Sequence, residues 1–83
     1  MHYMYVLQNV ERRDDFYLGS TSNLKRRVAE HNAGNNRSTK GRFWRVIYYE
    51  AYSSQEAAQQ REQRLKRNRR MRQMLMDRLM RHL

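Results

Sequence analysis

The chain has 83 residues, enough for one domain and not for two. It contains no cysteine, which excludes disulfides, cysteine-ligated zinc and thiol catalysis and fits a cytoplasmic location. Fifteen Arg and three Lys stand against five Glu and three Asp, a net charge of +10 on 10.3 kDa.

A surplus of that size points to a polyanion as partner, and the preference for Arg over Lys suits bidentate contact with phosphate. No apolar run approaches the roughly 20 residues of a membrane span. No signal-peptide pattern opens the chain. A domain this small buries only about 60% of its unfolded surface, so a thin core is expected. An aromatic content of 11% and clear strand patterns argue against disorder.

In chain order, residues 2–8 read as a strand, with Tyr3, Tyr5 and Leu7 on one face and Met4 and Val6 on the other. Residues 9–14 are polar and loop-like. Residues 15–20 read as a second strand, and the short connection predicts an antiparallel hairpin. Gly19 inside that strand is costly unless something must approach the backbone closely there. Thr21, Ser22 and Asn23 are capping residues before a helix from Leu24 to about His31 or Asn32, which Gly34 stops. Residues 35–42 form a polar, basic loop.

Residues 43–50 are the strongest strand in the chain. Ser53 with Glu56 forms a capping-box signature for a second helix that runs to Lys66 or Arg67. A further helix, or a kinked continuation, covers about 69–81. Its apolar residues Met71, Leu75 and Leu79 share a face, with Met76, Met80 and Leu83 beside them. The order is β-β-α-β-α-α, an α+β domain with a small sheet. Residues 61–83 hold nine of the eighteen basic residues, so the last helix suits a phosphate clamp. Its methionines also suit contact with a second copy, which makes an oligomer an expectation of the sequence. Binding to a membrane surface ranks below the clamp, because the domain before this helix is also basic.

Three placements carry chemistry. Glu62 lies on the same side of its helix as Ala58 and Leu65, and a carboxylate facing a core must be paired, hydrogen-bonded or metal-bound. On spacing alone, a buried salt bridge to one of the many arginines is the favoured account. Arg27 and His31 project from one helix face, a cation and an imidazole one turn apart that suit an anionic substrate; a solvated basic face accounts for them equally. Tyr5 and Tyr17 lie on neighbouring strands, either as an aromatic cross-strand pair or as proton acceptors. A free phenol has a pKa of about 10, so a basic role near neutral pH needs nearby cations or a metal.

The segments Tyr3-Met4-Tyr5 and Tyr17-Leu18-Gly19, then Asn23 to Val28 with Glu30-His31-Asn32, then Arg42-Phe43-Trp44, Tyr48-Tyr49-Glu50 and Ala58 to Lys66, together resemble the GIY-YIG nuclease domain. The resemblance covers nearly the whole chain and is closest to the small stand-alone bacterial members, the YhbQ-like group. It implies a three-stranded antiparallel sheet flanked by helices. It also implies a metal-dependent endonuclease that hydrolyses phosphodiester bonds in DNA.

Carried over residue by residue, Tyr5 matches the tyrosine proposed as general base and Tyr17 the one that positions or activates the water. The residues leave open which of the two takes the proton. Gly19 matches the glycine of the second motif. Arg27 stabilises phosphoryl charge, His31 is an accessory proton or phosphate contact, and Glu62 is the one metal-binding carboxylate. Mg²⁺ or Mn²⁺ is the implied cofactor, its shell completed by waters and phosphate oxygens. Tyr3 replaces the glycine of the first motif and Phe43 a common proline; neither change touches the implied chemistry.

The chain ends just after the nuclease core, so the core itself is expected to hold the substrate. The residues expected to do so are Arg26, Arg37, Ser38, Thr39, Lys40 and Arg42, with Lys66, Arg69 and Arg70. Single-stranded DNA suits a basic loop with aromatics such as Trp44 or Tyr52 beside it, with branched or nicked DNA next. A non-catalytic nucleic-acid-binding module that retains the fold is the alternative.

Overall fold

The computed structural model describes residues 1–82 and has the expected β-β-α-β-α-α order. The strands are β1 (His2–Asn9), β2 (Phe16–Thr21) and β3 (Trp44–Tyr52); the helices are α1 (Leu24–Asn32), α2 (Gln55–Arg67) and α3 (Arg69–Met80). All three strands pair antiparallel in the order β2-β1-β3, so β1 is central.

Helices cover β1 on both faces, which is why six consecutive residues, Met4 to Asn9, are buried. One face packs Met4, Val6 and Leu18 against Leu65 of α2 and Leu75 and Met76 of α3. The other packs Tyr5, Leu7 and Trp44 against Leu24 and Val28 of α1. Among the described residues no helix is long and apolar enough to cross a membrane.

The helix ends follow from short polar side chains. Asn23 caps α1 by accepting from the Arg26 amide at 3.0 Å, and Gly34 follows the helix at φ +81°. The capping box expected at Ser53 and Glu56 is not formed. Strand β3 runs on to Tyr52, the chain turns at Ser53, and the cap is Ser54, whose hydroxyl accepts from the Ala57 amide at 3.1 Å.

Asn68 ends α2 and caps α3, so the two are separate helices sharing one residue. Arg72 fastens this corner by donating to the Leu65 and Lys66 carbonyls at the end of α2. The Met71, Leu75 and Leu79 stripe packs on the chain's own sheet, while Met74 stays exposed. Leu83, expected beside that stripe, lies outside the described residues.

Two local features aim side chains. The first is a bulge in β3: Val6 pairs with Tyr48 but Leu7 with Val46, so Ile47 is extra. Before it, Trp44 and Val46 face α1. Beyond it, Tyr48 and Tyr52 face α2 and α3. Glu50 thereby meets Arg61 of α2 in a two-pronged contact at 2.9 and 3.2 Å. It also accepts from the Tyr48 and Tyr52 hydroxyls, each at 2.6 Å.

The second feature is the register of Tyr5 opposite Gly19. A Cβ on residue 19 would lie 2.4 Å from the Tyr5 hydroxyl oxygen. The close approach that a strand glycine signals is therefore made by a phenol of the protein itself.

Both features are testable. Burial alone would raise the Glu50 pKa, but the hydrogen bonds from Arg61, Tyr48 and Tyr52 outweigh it and hold the carboxyl below its usual range. A depressed folded-state pKa adds stability above the unfolded value of about 4.3, and that stability is lost as pH falls through the folded value. Glu50→Gln should cost about 1–3 kcal/mol at pH 7 in urea unfolding. The gap to wild type should close below about pH 4; a gap that persists there would reject the ionic origin. Gly19→Ala should force the Tyr5 ring aside and cost about 1–3 kcal/mol, read by thermal melting together with a shift of the His31 ring signals. An unchanged melt with unchanged His31 signals would contradict the contact.

Candidate active site

Four elements deliver the site. Central strand β1 supplies Tyr5, and β2 supplies Tyr17, with the two ring centroids 6.5 Å apart. Helix α1 supplies Arg27 and His31, one turn apart. The expected shared face holds, but the two side chains end in different surroundings: Arg27 is half-buried and His31 is 0% exposed. The His31 ring lies 4.8 Å from the Tyr17 ring, edge to face. Its Nε2 is 2.8 Å from the Tyr5 hydroxyl, and its Nδ1 is 2.8 Å from the Thr39 hydroxyl. Direct contact of His31 with a phosphate, one of the two expectations for it, is closed off by this burial.

The electrostatics divide the roles. Tyr5 is 1% exposed, and burial pushes its phenol up to about 12, against the pull of the adjacent Arg27 guanidinium. Arg27 pulls this phenol down, as expected of a nearby cation, but burial outweighs it. In the structure Tyr5 is neutral at pH 7. Burial, and then the charge on Arg27, hold His31 below its ordinary pKa, so its imidazole is neutral as well. Burial works against the charge on Arg27, but Tyr5 and Glu30 outweigh it and the guanidinium stays protonated. Its ion pair with Glu30, at 3.2 Å, directs it along the helix.

Helix α2 supplies Glu62, on the half-buried side that its spacing predicts. Its partner is not an arginine but Lys66, one turn on, at 2.6 Å. Lys66 also lies 5.7 Å over the Tyr17 ring, so the pair borders the tyrosines. Among the described residues no three His, Cys, Asp or Glu side chains gather as a ligand set. The donor present is one carboxylate, Glu62. That fits Mg²⁺, which takes one or two carboxylates and fills its shell with water and substrate phosphate. Lys66 would then release Glu62.

The residues expected to grip nucleic acid separate into two groups. Arg26, Arg37, Ser38, Lys40, Arg69 and Arg70 are exposed, as is Lys66, which is paired with Glu62. Thr39 is not available: it is 0% exposed, bonded to His31, and its carbonyl accepts from the Trp44 indole at 3.0 Å. Arg42 is engaged at home, paired with Asp15 at 2.9 Å, donating to the Ser38 carbonyl and lying over the Trp44 ring. Trp44 is itself buried and Tyr52 is tied to Glu50, so neither is a free stacking platform. The exposed aromatics are Phe43 at 63% and Tyr49 at 55%. The sequence reading missed the contributions of Thr39 and Asn32. The Asn32 amide both donates to and accepts from the Trp44 backbone, at 3.1 and 2.7 Å, and so ties the end of α1 to β3.

A family model described as the GIY-YIG catalytic domain matches residues 1–75. A UPF0213 protein of Natronomonas pharaonis is 42% identical over 67 residues, which cover 78% of this chain and 76% of that one. A UPF0213 protein of Streptococcus pyogenes is 42% identical over 64 residues, 72% of this chain and 65% of the relative. A third, from Halobacterium salinarum, is 38% identical over 68 residues, covering 80% and 86%. No solved structure matches. With a fold of the expected order and a family match over most of its length, the chain belongs to the GIY-YIG family, a domain of nuclease type.

Proposed function

We propose that the protein is a divalent-metal-dependent endonuclease that hydrolyses phosphodiester bonds in DNA. The observation that carries this reading is the convergence of Tyr5, Tyr17, Arg27, His31 and Glu62, drawn from four elements, around one phenol–imidazole hydrogen bond. Phosphoryl transfer asks for positioning and charge neutralisation more than for covalent chemistry, and these side chains supply both.

Glu62 would hold one Mg²⁺ or Mn²⁺. When bound, the ion supplies Lewis-acid stabilisation of the leaving 3′ oxygen. The chain's residues do the rest. Tyr17 holds the attacking water beside Tyr5. Tyr5 takes a proton from that water as its own proton passes to His31 Nε2, which leaves hydroxide and an imidazolium. His31 suits that task because it is neutral and already 2.8 Å from the phenol. Arg27 adds fixed positive charge where charge develops on the phosphate.

Exposed Arg26, Arg37, Ser38, Lys40, Arg69 and Arg70 would bind the backbone, and each ionic contact steepens the salt dependence. Phe43 and Tyr49 offer faces for unstacked bases, which favours single-stranded DNA, with branched or nicked DNA next. One observation favours a second reading, a binding module without catalysis: Lys66 already occupies the Glu62 carboxylate.

A cleavage panel with Mg²⁺ or Mn²⁺ separates the two readings. Labelled single-stranded DNA, duplex, a branched junction and RNA are offered to wild type and to Glu62→Ala. Wild type should cut a DNA substrate, and the variant should cut none while still binding it. Near-wild-type cutting by the variant would overturn the metal assignment. Binding with a steep salt dependence and no cutting by either protein would establish the second reading.

A further inference from the structure

Thr39 sits in a loop that the sequence assigns to nucleic-acid contact, yet its side chain is fully buried with its hydroxyl on His31 Nδ1. Counting hydrogens around this contact fixes its direction. The Tyr5 hydroxyl has one acceptor among its described hydrogen-bond contacts, His31 Nε2. The Arg27 guanidinium beside it is a donor only. Were Nε2 to carry the ring proton, the phenol oxygen would face two donors and its own hydrogen would have no acceptor in a buried site. The proton therefore lies on Nδ1 and is donated to Thr39, whose own hydrogen turns to the Asn36 carbonyl, at 3.4 Å.

We propose that Thr39 is a positioning residue whose hydroxyl, by accepting from Nδ1–H, holds His31 in the tautomer that leaves Nε2 free to receive the Tyr5 proton. The role rests on the nuclease reading of the same site. It follows from the balance of the proton step: the water proton moves to Tyr5, the Tyr5 proton moves to Nε2, and Nε2 can accept only if it starts unprotonated.

The surroundings hold Thr39 to this task. Its amide donates to the Asn36 carbonyl at 3.2 Å, and its own carbonyl accepts from the Trp44 indole. Trp44 is gripped along its backbone by Asn32 and covered by Arg42. Exposed Arg37 and Lys40 beside Thr39 would meet the substrate, so one loop would both face the nucleic acid and orient the buried imidazole. With no exposed surface on Thr39, water has no room to stand in for its hydroxyl.

The test uses ¹⁵N-labelled full-length protein and reads the His31 ring nitrogens, with cleavage measured alongside. Wild type should show Nδ1 protonated and Nε2 unprotonated. Thr39→Val keeps the volume but offers no acceptor. It should shift the ring toward the Nε2–H form and lose about 10- to 100-fold in cleavage, the scale seen when the partner that orients a metal-ligating histidine is removed. Thr39→Ser should restore both. Wild-type His31 protonated on Nε2 would overturn the proposal without recourse to any variant, as would a valine variant with unchanged ring shifts and wild-type cutting. If wild type cuts no substrate, the nuclease reading falls, while the ring shifts still decide what Thr39 does to His31.

Discussion

The hydroxyl of Tyr5 must reach a buried imidazole across the edge of a three-stranded sheet, and much of the molecule is arranged around that requirement. The phenol passes over the backbone of β2 at the point where Gly19 has no side chain to obstruct it. His31 must then lie deep, so α1 closes over that face of the sheet and Asn32 ties its end to β3. Its far nitrogen needs a partner that water cannot provide, and the loop turns Thr39 inward to supply it. A hydrogen bond enclosed in this way is strong, and an unpaired group in its place would be costly. No buried side-chain polar atom among the described residues is left without a partner.

The charge of the protein is organised by scarcity of acid. Five carboxylates each hold one basic side chain: Asp14, Asp15, Glu30, Glu50 and Glu62. Three of these contacts are placements rather than surface pairing. Asp15 with Arg42 fastens the loop to the β1–β2 connection, Glu50 with Arg61 locks α2 to β3, and Glu30 directs Arg27. Glu62 with Lys66 is the pair that a metal would reorganise. Most of the eighteen Lys and Arg have no ion pair among the described residues, and that uncompensated surface is what a polyanion meets.

Much of this was legible in the residues. Strand alternation, the capping cluster that ends at Asn23 and Gly34 located the elements to within a residue or two, and the order of tyrosine, arginine, histidine and glutamate motifs matched one family. The bulge at Ile47 was not legible, because the run Val46-Ile47-Tyr48-Tyr49 fits either register until the pairing with β1 is known. The cap at Ser54 rather than Ser53 depends on how far β3 extends. Thr39, Arg42 and Trp44 read as exposed because a basic, glycine-containing segment looks like a solvated loop. The burial of Thr39 and Trp44 and the engagement of Arg42 come from contacts with His31, Asn32 and Asp15, distant in sequence and invisible to local pattern. The balance of burial and cations at Tyr5 was not legible for the same reason. The cations were legible, but the degree of burial, which outweighs them, was not.

The most direct test of the account is the cleavage rate of Tyr5→Phe on the substrate that wild type cuts best. The substitution removes one oxygen and keeps the ring that packs with Leu7 and Trp44, so the fold should remain. Cleavage should drop by about 100-fold or more, the scale of a lost acid–base group, with DNA affinity little changed. A phenylalanine variant that cuts as fast as wild type would contradict the claim that the buried phenol carries the proton.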